Sequence, residues 1–161
     1  MGLGSFRPVT DSFVLVWEHD PALDRERPNF EHDYEVACDT GNWDAITVPG
    51  QKPTLFHFRL IDTARLRRLF DIEAGPQVQS EIAFRMSLTK IEDWGADGAP
   101  KLDKKPDPEC PKLGPLVSRE TQVVLDGISL AMGRLAGELP LSLGTRVLNR
   151  SCGVRPLSEK G

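Results

Sequence analysis

Cysteine is scarce in this 161-residue chain, in which it occurs only at positions 38, 110 and 152. A disulfide framework needs cysteines in pairs, and a structural zinc site needs close Cys or His partners, which these widely spaced positions lack. We therefore predict three reduced thiols, as in a cytosolic protein.

Long hydrophobic runs are also missing. No window approaches eighteen uninterrupted apolar residues, so no membrane span is expected. The N-terminal segment up to Trp17 has no long apolar run that ends in a small-residue cleavage site, and position 6 is Phe where a myristoylation signal has Ser or Thr. We expect neither a secretory signal nor a lipid anchor.

Two further signatures of ligand binding are absent. The only glycine-rich candidate for a phosphate loop, at positions 2–5, follows no predicted strand and precedes no predicted helix. No dense Lys/Arg patch with interleaved aromatic residues, as nucleic-acid binding needs, occurs in the sequence. We therefore expect no cofactor, no small-molecule substrate and no nucleic-acid partner.

The composition is that of a globular protein, with 39% hydrophobic and 27% charged residues, and the length fits one domain over residues 1–161. Its charge is uneven. Residues 17–44 contain nine acids and two arginines, whereas residues 112–161 contain seven bases and four acids. This asymmetry fits either two solvated surfaces that differ, or surfaces that orient one copy against another or against a charged partner.

The most regular stretch is residues 48–60. Pro49-Gly50 is typical of a turn, because Pro presets φ and Gly accepts a positive φ. From Thr54 the apolar residues alternate, which predicts a strand with Phe56 and Phe58 buried on one face. If this strand lies at a sheet edge, its backbone can accept a partner strand, and Pro53 limits the length of that pairing.

Helices are predicted along the rest of the chain. Asp62 or Thr63 begins a helix that buries Leu66, Leu69 and Phe70 and ends at Gly75-Pro76. Ser118 begins another helix to about residue 135. Its predicted buried positions are Val124, Ile128, Ala131 and Leu135. A short helix follows at about 141–148, and the spacing of Gly133 and Gly137 predicts a close approach of these last two helices.

Two segments are less regular. Residues 80–91 fit either a strand or a helix capped by Ser80, and the length of the apolar pattern favours the helix. Residues 95–115 carry five prolines and three glycines, which predicts a long, poorly packed loop. The predicted fold class is α+β, with a small N-terminal β element (a hairpin or short sheet) packed on C-terminal helices. The expected parts are a β-containing acidic part (1–60), a helical part (61–94), the loop (95–115), C-terminal helices (116–150) and a tail (151–161).

Some residues could supply metal-binding or nucleophilic chemistry, but each also has a simpler interpretation. His19-Asp20 and His32-Asp33 offer metal-ligand chemistry, but their separation favours surface polar residues. A nucleophile could combine Cys38 or Cys152 with His57 and Asp62. However, acids surround Cys38, and Cys152 lacks a local family signature. We therefore predict no metal site, no catalytic residue and no enzyme activity.

The predicted contact surface for other proteins comprises Leu55, His57, Arg59, Arg65 and Arg68. The strand residues lie on the face opposite Phe56 and Phe58, and the arginines follow in the next helix. The arginines could instead pair with the acidic segment 17–44 of the same chain.

The order of these elements resembles that of small tail-assembly proteins of tailed bacteriophages. The resemblance rests on a strand with the pattern Pro-Thr-x-Phe-x-x-Arg, followed by helices, and on a last helix with a Leu-Gly step followed by Ser and a polar end. The matching residues here are Pro53, Thr54, Phe56, Arg59, Leu143, Gly144 and Ser151. The resemblance, judged by the order of elements, covers about two thirds of the chain. The acidic N-terminal part and the Pro-rich loop depart from the pattern.

The resemblance implies a non-enzymatic morphogenesis or virion-associated protein that binds other phage structural proteins or copies of itself. It would act in the host cytoplasm during assembly, either as an assembly chaperone or as a part of the virion. The alternative is a small interaction or regulatory module that binds a host protein through its acidic face.

Overall fold

The computed structural model describes residues 12–95 and 98–153. Its strands and helices are β1 (Ser12–Leu15), α1 (Phe30–Thr40), β2 (Leu55–Arg59), α2 (Thr63–Phe70), α3 (Pro76–Ser87), β3 (Leu88–Glu92), β4 (Lys104–Pro106), β5 (Pro115–Val117), α4 (Arg119–Ala131) and α5 (Glu138–Ser151). Short 3₁₀ helices lie at Trp43–Ile46 and Pro111–Leu113. The predicted α+β class is confirmed. None of the helices in the described part of the chain is long and apolar enough to cross a membrane.

The larger sheet has three antiparallel strands in the order β1-β2-β3. Phe13 pairs with Phe58 across β1 and β2, while Phe56 pairs with Ile91 across β2 and β3. Because β2 is central, its backbone is paired on both sides, and no partner strand can add to it. The condition for pairing with a partner strand, an edge position of this strand, is therefore not met.

The turn and strand predicted for residues 48–60 are confirmed. Gly50 has φ 83°, and the Gln51 N–H donates to the Val48 carbonyl at 3.0 Å, which closes the turn. Phe56 and Phe58 are 1% and 0% exposed. Both rings pack on Phe84 of α3, with the Phe58 and Phe84 centroids 5.6 Å apart. This aromatic contact joins the sheet to the helices.

The helix predictions need three corrections. Helix α2 begins as expected, with the Asp62 side chain accepting from the Arg65 N–H, but it ends at Phe70, whose side chain is 47% exposed. Gly75-Pro76 begins α3 rather than ending α2, since Pro is favoured at the first helical position. The segment 80–91 is helical to Ser87 and then a strand, and Ser80 is buried within α3 instead of capping it.

Helix α1 lies in the acidic segment 17–44. Tyr34, Ala37 and Cys38 have helical spacing and are buried, and Gly41 ends the helix with φ 77°. Its two first-turn acids favour the helix because they interact with the positive end of the helix dipole. The Tyr34 hydroxyl donates to the Val16 carbonyl at 2.5 Å, which ties α1 to the end of β1.

The segment 95–115, expected to be a poorly packed loop, contains β4, which pairs with β5, and the second 3₁₀ helix. Leu113 is 1% exposed, and Asp107 is 5% exposed. Arg85 of α3 donates to the Asp107 carboxylate at 2.9 Å and to the Val117 carbonyl at 2.8 Å. A buried ion pair therefore attaches this segment to the core.

Candidate protein interface

The predicted contact residues of β2 lie opposite the aromatic core face. Leu55 and His57 are half-buried, and Arg59 is exposed. His57 Nε2 lies 2.5 Å from Glu92 Oε1 on the neighbouring strand, and Lys90 Nζ lies 3.2 Å from the same oxygen. The hydrogen bond from Lys90, together with His57, lowers the pKa of Glu92. This face of the sheet therefore carries polar residues that pair both across strands and along β3.

The two predicted contact residues of α2 bind their own chain. Arg65 Nη2 donates to the carbonyls of Leu113 at 3.2 Å and Pro115 at 3.4 Å, and Arg68 Nη1 donates to the Lys112 carbonyl at 3.5 Å. They hold the segment that leads into β5. None of the described ion pairs joins Arg59, Arg65 or Arg68 to the acidic segment 17–44.

The acidic segment instead meets α5. Arg146 donates to both oxygens of Glu35 at 2.8 and 2.6 Å, and its guanidinium lies 4.9 Å from the centre of the Tyr34 ring. Arg150 donates to the Cys38 carbonyl at 2.9 Å. The two oppositely charged parts of the sequence are therefore partly joined within one molecule.

Five of the seven large apolar residues that are exposed in the described structure lie on α4 and in the turn that follows it, and the other two are Phe70 and Val78. We define the α4 face by its five exposed apolar residues, Val123 (69% exposed), Val124 (46%), Leu130 (59%), Met132 (39%) and Leu135 (79%). An exposed apolar group of this kind is typical of a protein-binding surface. It was not among the predicted contact residues.

The sequence pattern was wrong for most of the buried side of α4, although Ile128, one of its predicted positions, is half-buried and packs on the core. Val124 and Leu135 were predicted to be buried, but the buried positions are Thr121, Leu125 and Ser129. The Ser129 hydroxyl accepts the Leu139 N–H at 3.1 Å, and the Thr121 hydroxyl donates to the Lys101 carbonyl at 2.9 Å. Because two polar residues are buried through backbone hydrogen bonds, the apolar pattern did not show which side faces the core.

A cleft of about 570 Å³ adjoins the α4 face at Met132. Trp17, Trp94 and Ile128 contribute apolar walls, and Lys52 lies on its lining. The Trp17 indole is 2% exposed, and its Nε1 donor has no hydrogen-bond partner within the described residues. The cleft is suited to an apolar side chain of a partner.

Asp20 also lines this cleft and is 8% exposed. Its carboxylate accepts the N–H groups of Ala22 at 2.9 Å and Thr54 at 2.8 Å, so it joins the segment after β1 to the residue before β2. Burial raises the pKa of Asp20, and the two N–H donors oppose that shift. Asp20 therefore shapes the cleft wall.

The structure bears on the metal-binding alternative and on Cys38 as a nucleophile. Burial raises the pKa of the Cys38 thiol to about 12, so this thiol is protonated at neutral pH, unlike a nucleophilic cysteine. His19 packs edge-on against the Trp17 ring, and burial lowers its pKa. Residues 12–95 and 98–153 contain no group of three His, Cys, Asp or Glu side chains that could hold a metal ion.

Comparison of the chain with family models, curated proteins and solved structures found no match. The resemblance to phage tail-assembly proteins therefore stays a prediction from the sequence. Among the described surfaces, the α4 face and its adjoining cleft have the features of a binding site.

Proposed function

We propose that this protein is a non-enzymatic bacteriophage tail-assembly protein, and that it binds phage structural proteins or copies of itself through the α4 face. The observation that supports binding is the exposure of three large apolar side chains on α4, whose other side packs on α5, and of two more at its C-terminal end and in the turn that follows. Contact between water and such an apolar surface is unfavourable, and a bound partner removes that contact. The tail-assembly role derives from the sequence resemblance.

The cleft extends the α4 face and supports the same proposal. Met132 belongs to both, so a partner that covers the helix also reaches the mouth of the cleft. An apolar side chain that enters there is surrounded by Trp17 and Trp94, as anchor side chains are in tight interfaces.

The proposal is tested by binding to tail proteins encoded by the same genome, and by light scattering for self-association. Val123→Asp combined with Leu130→Asp is expected to weaken association at least about tenfold, because both changes bury a charge in an apolar contact. Val78→Asp is the matched control, since Val78 is 46% exposed and belongs to a different helix, α3.

The outcomes separate the two parts of the proposal. Undiminished association of the double variant, with the control also unchanged, would show that the α4 face is not the interface. A wild-type protein that binds none of the tail proteins and stays monomeric would contradict the assembly role. Urea unfolding of each variant checks that the fold is retained.

A second candidate function uses the acidic face. Glu26, Glu31 and Asp44 are exposed and form no ion pair within the described residues, so they remain free to bind a basic host protein. Such binding would weaken strongly between about 0.05 and about 0.5 M salt. Changing the three acids to amides would weaken it, whereas the α4 variant would not.

A further inference from the structure

Three basic residues from separate elements lie close to one another, since the guanidinium groups of Arg59 and Arg65 both act electrostatically on the Lys104 amine. Arg59 ends β2, Arg65 lies in the first turn of α2, and Lys104 begins β4. We name these three residues the basic cluster. It does not overlap the α4 face, so a ligand bound at the cluster would be independent of the proposed function.

Hydrogen bonds from side chains to backbone carbonyls bring two members of the basic cluster together. Lys104 Nζ donates to the Met86 carbonyl at 2.9 Å. The hydroxyl of the next residue, Ser87, donates to the Arg59 carbonyl. The amine of Lys104 and the end of β2 are therefore attached to consecutive residues at the junction of α3 and β3.

Arg65 is fixed in a similar way and keeps free donors. Its Nε and Nη2 donate to the Leu113 carbonyl, and Nη2 also reaches the Pro115 carbonyl. A guanidinium has five N–H groups, so both protons on Nη1 remain available. The Arg59 guanidinium has no hydrogen-bond or ion-pair partner in residues 12–95 and 98–153.

None of the three cations forms an ion pair within the described structure. Burial lowers the pKa of Lys104 to about 8, and the nearby guanidinium groups of Arg65 and Arg59 lower it further in the same direction. Neither acid adjacent in sequence forms an ion pair with them within the described residues, and Asp62 accepts the Arg65 backbone N–H as the cap of α2. Like charges held this close favour a bound anion.

We propose that Arg59, Arg65 and Lys104 form a binding site for a phosphate-type oxyanion. Two guanidinium groups and one ammonium group from three elements can each donate to a different oxygen of a tetrahedral anion. A phosphate group carries up to two negative charges and enough acceptor oxygens for all three donors, whereas a carboxylate has one charge and two oxygens. The source is either free phosphate or a phosphorylated side chain.

The test is a nuclear magnetic resonance titration of the full chain with sodium phosphate at about pH 7, where the lysine amine is mostly protonated. Sodium chloride at matched ionic strength provides the reference. Saturable shifts of the backbone amides of the basic cluster are expected in phosphate alone. Arg59→Gln and Lys104→Gln should each weaken binding at least about tenfold.

The matched control is Arg67→Gln. Arg67 is exposed on α2, forms no ion pair in the described structure and lies outside the cluster, yet its replacement removes the same charge. Its phosphate affinity should equal that of the wild type. An equal loss in this control, an absence of saturable shifts, or equal binding of acetate would each overturn the proposal. If O-phosphoserine binds more tightly than phosphate, the ligand is a phosphorylated side chain, and the reverse order identifies free phosphate.

Discussion

Gly144 of α5 lies directly against the backbone of Ser80 in α3. A Cβ added at Gly144 would come closer than 3.0 Å to the carbonyl carbon and oxygen of Ser80, and would lie 3.2 Å from the Cβ of Phe84. Only glycine permits this approach, which brings the two helices together behind the sheet. The close approach had been predicted at Gly133 and Gly137. Those residues instead have φ 73° and 81° in the turn between α4 and α5.

Gly144→Ala is expected to lower the free energy of unfolding by about 1–3 kcal/mol or more, because the helices must move apart. Ala is the better helix former by about 1 kcal/mol, so the change has the opposite sign from the one that helix propensity predicts. Gly127→Ala in α4 is the control, since no atom lies within 4 Å of an added Cβ there. Urea unfolding should show the control to be at least as stable as the wild type. A stabilised Gly144→Ala would refute the close contact.

Phe58→Ala is expected to cost about 3–5 kcal/mol of unfolding free energy. The Phe58 ring is 0% exposed and lies between Phe13, at 5.7 Å between ring centroids, and Phe84, at 5.6 Å. Its removal leaves a cavity between the sheet and α3. Phe70→Ala is the control and should cost less than about 1 kcal/mol, because Phe70 is largely exposed. Equal losses for both variants in urea unfolding would contradict this assignment of the core.

Asp107→Ala is expected to cost about 3–5 kcal/mol at neutral pH, because it leaves the buried Arg85 guanidinium without its carboxylate. The two side chains are 3% and 6% exposed. Asp103→Ala, which removes an exposed carboxylate nearby, should change stability by less than about 0.5 kcal/mol. Proteolysis provides a second measurement: the wild-type segment 98–115 should resist cleavage, and Asp107→Ala should be cut there first.

The pH dependence of stability should report the same ion pair. The N–H of Glu109, together with Arg85 and Arg119, lowers the pKa of Asp107 in the folded protein. The stabilisation is therefore complete above the unfolded pKa of about 3.9 and is lost as the pH falls through the folded value. Between about pH 4 and pH 2, the wild type should lose more stability than Asp107→Ala does. Parallel pH profiles would show that Asp107 is not linked to folding.

Asp20→Ala is expected to cost about 2–4 kcal/mol, because it leaves the N–H groups of Ala22 and Thr54 without an acceptor. Since burial raises the folded pKa of Asp20, the pH-dependent part of its contribution is full below the unfolded value and decreases as the pH rises through the folded value. The two accepted hydrogen bonds remain at neutral pH. Asp24→Ala, in the same segment, should be close to neutral. Calorimetry of both variants at about pH 7 measures the difference. A neutral Asp20→Ala would show that the cleft wall does not depend on this carboxylate.

Much of the local structure could be predicted because its causes lie within a few residues. Pro49-Gly50 sets the turn, the alternation after Thr54 sets the strand, and Asp62 and Ser118 cap their helices through side-chain oxygens. The two buried phenylalanines of β2 were predicted from alternation alone. Leu55, His57 and Arg59 lie on the face of that strand opposite the two phenylalanines, as predicted. The central position of the strand in the sheet was not foreseen.

What the tertiary structure alone decided depends on groups far apart in sequence. The buried side of α4 follows from Ser129 accepting the Leu139 N–H, and the order of the segment 98–115 follows from Arg85 reaching Asp107. The basic cluster appears only when β2, α2 and β4 meet. The sequence by itself determined turns, caps and the alternation of β2, since these depend on neighbouring residues. The α4 face and the basic cluster depend on long-range packing, which hydrophobic periodicity does not encode.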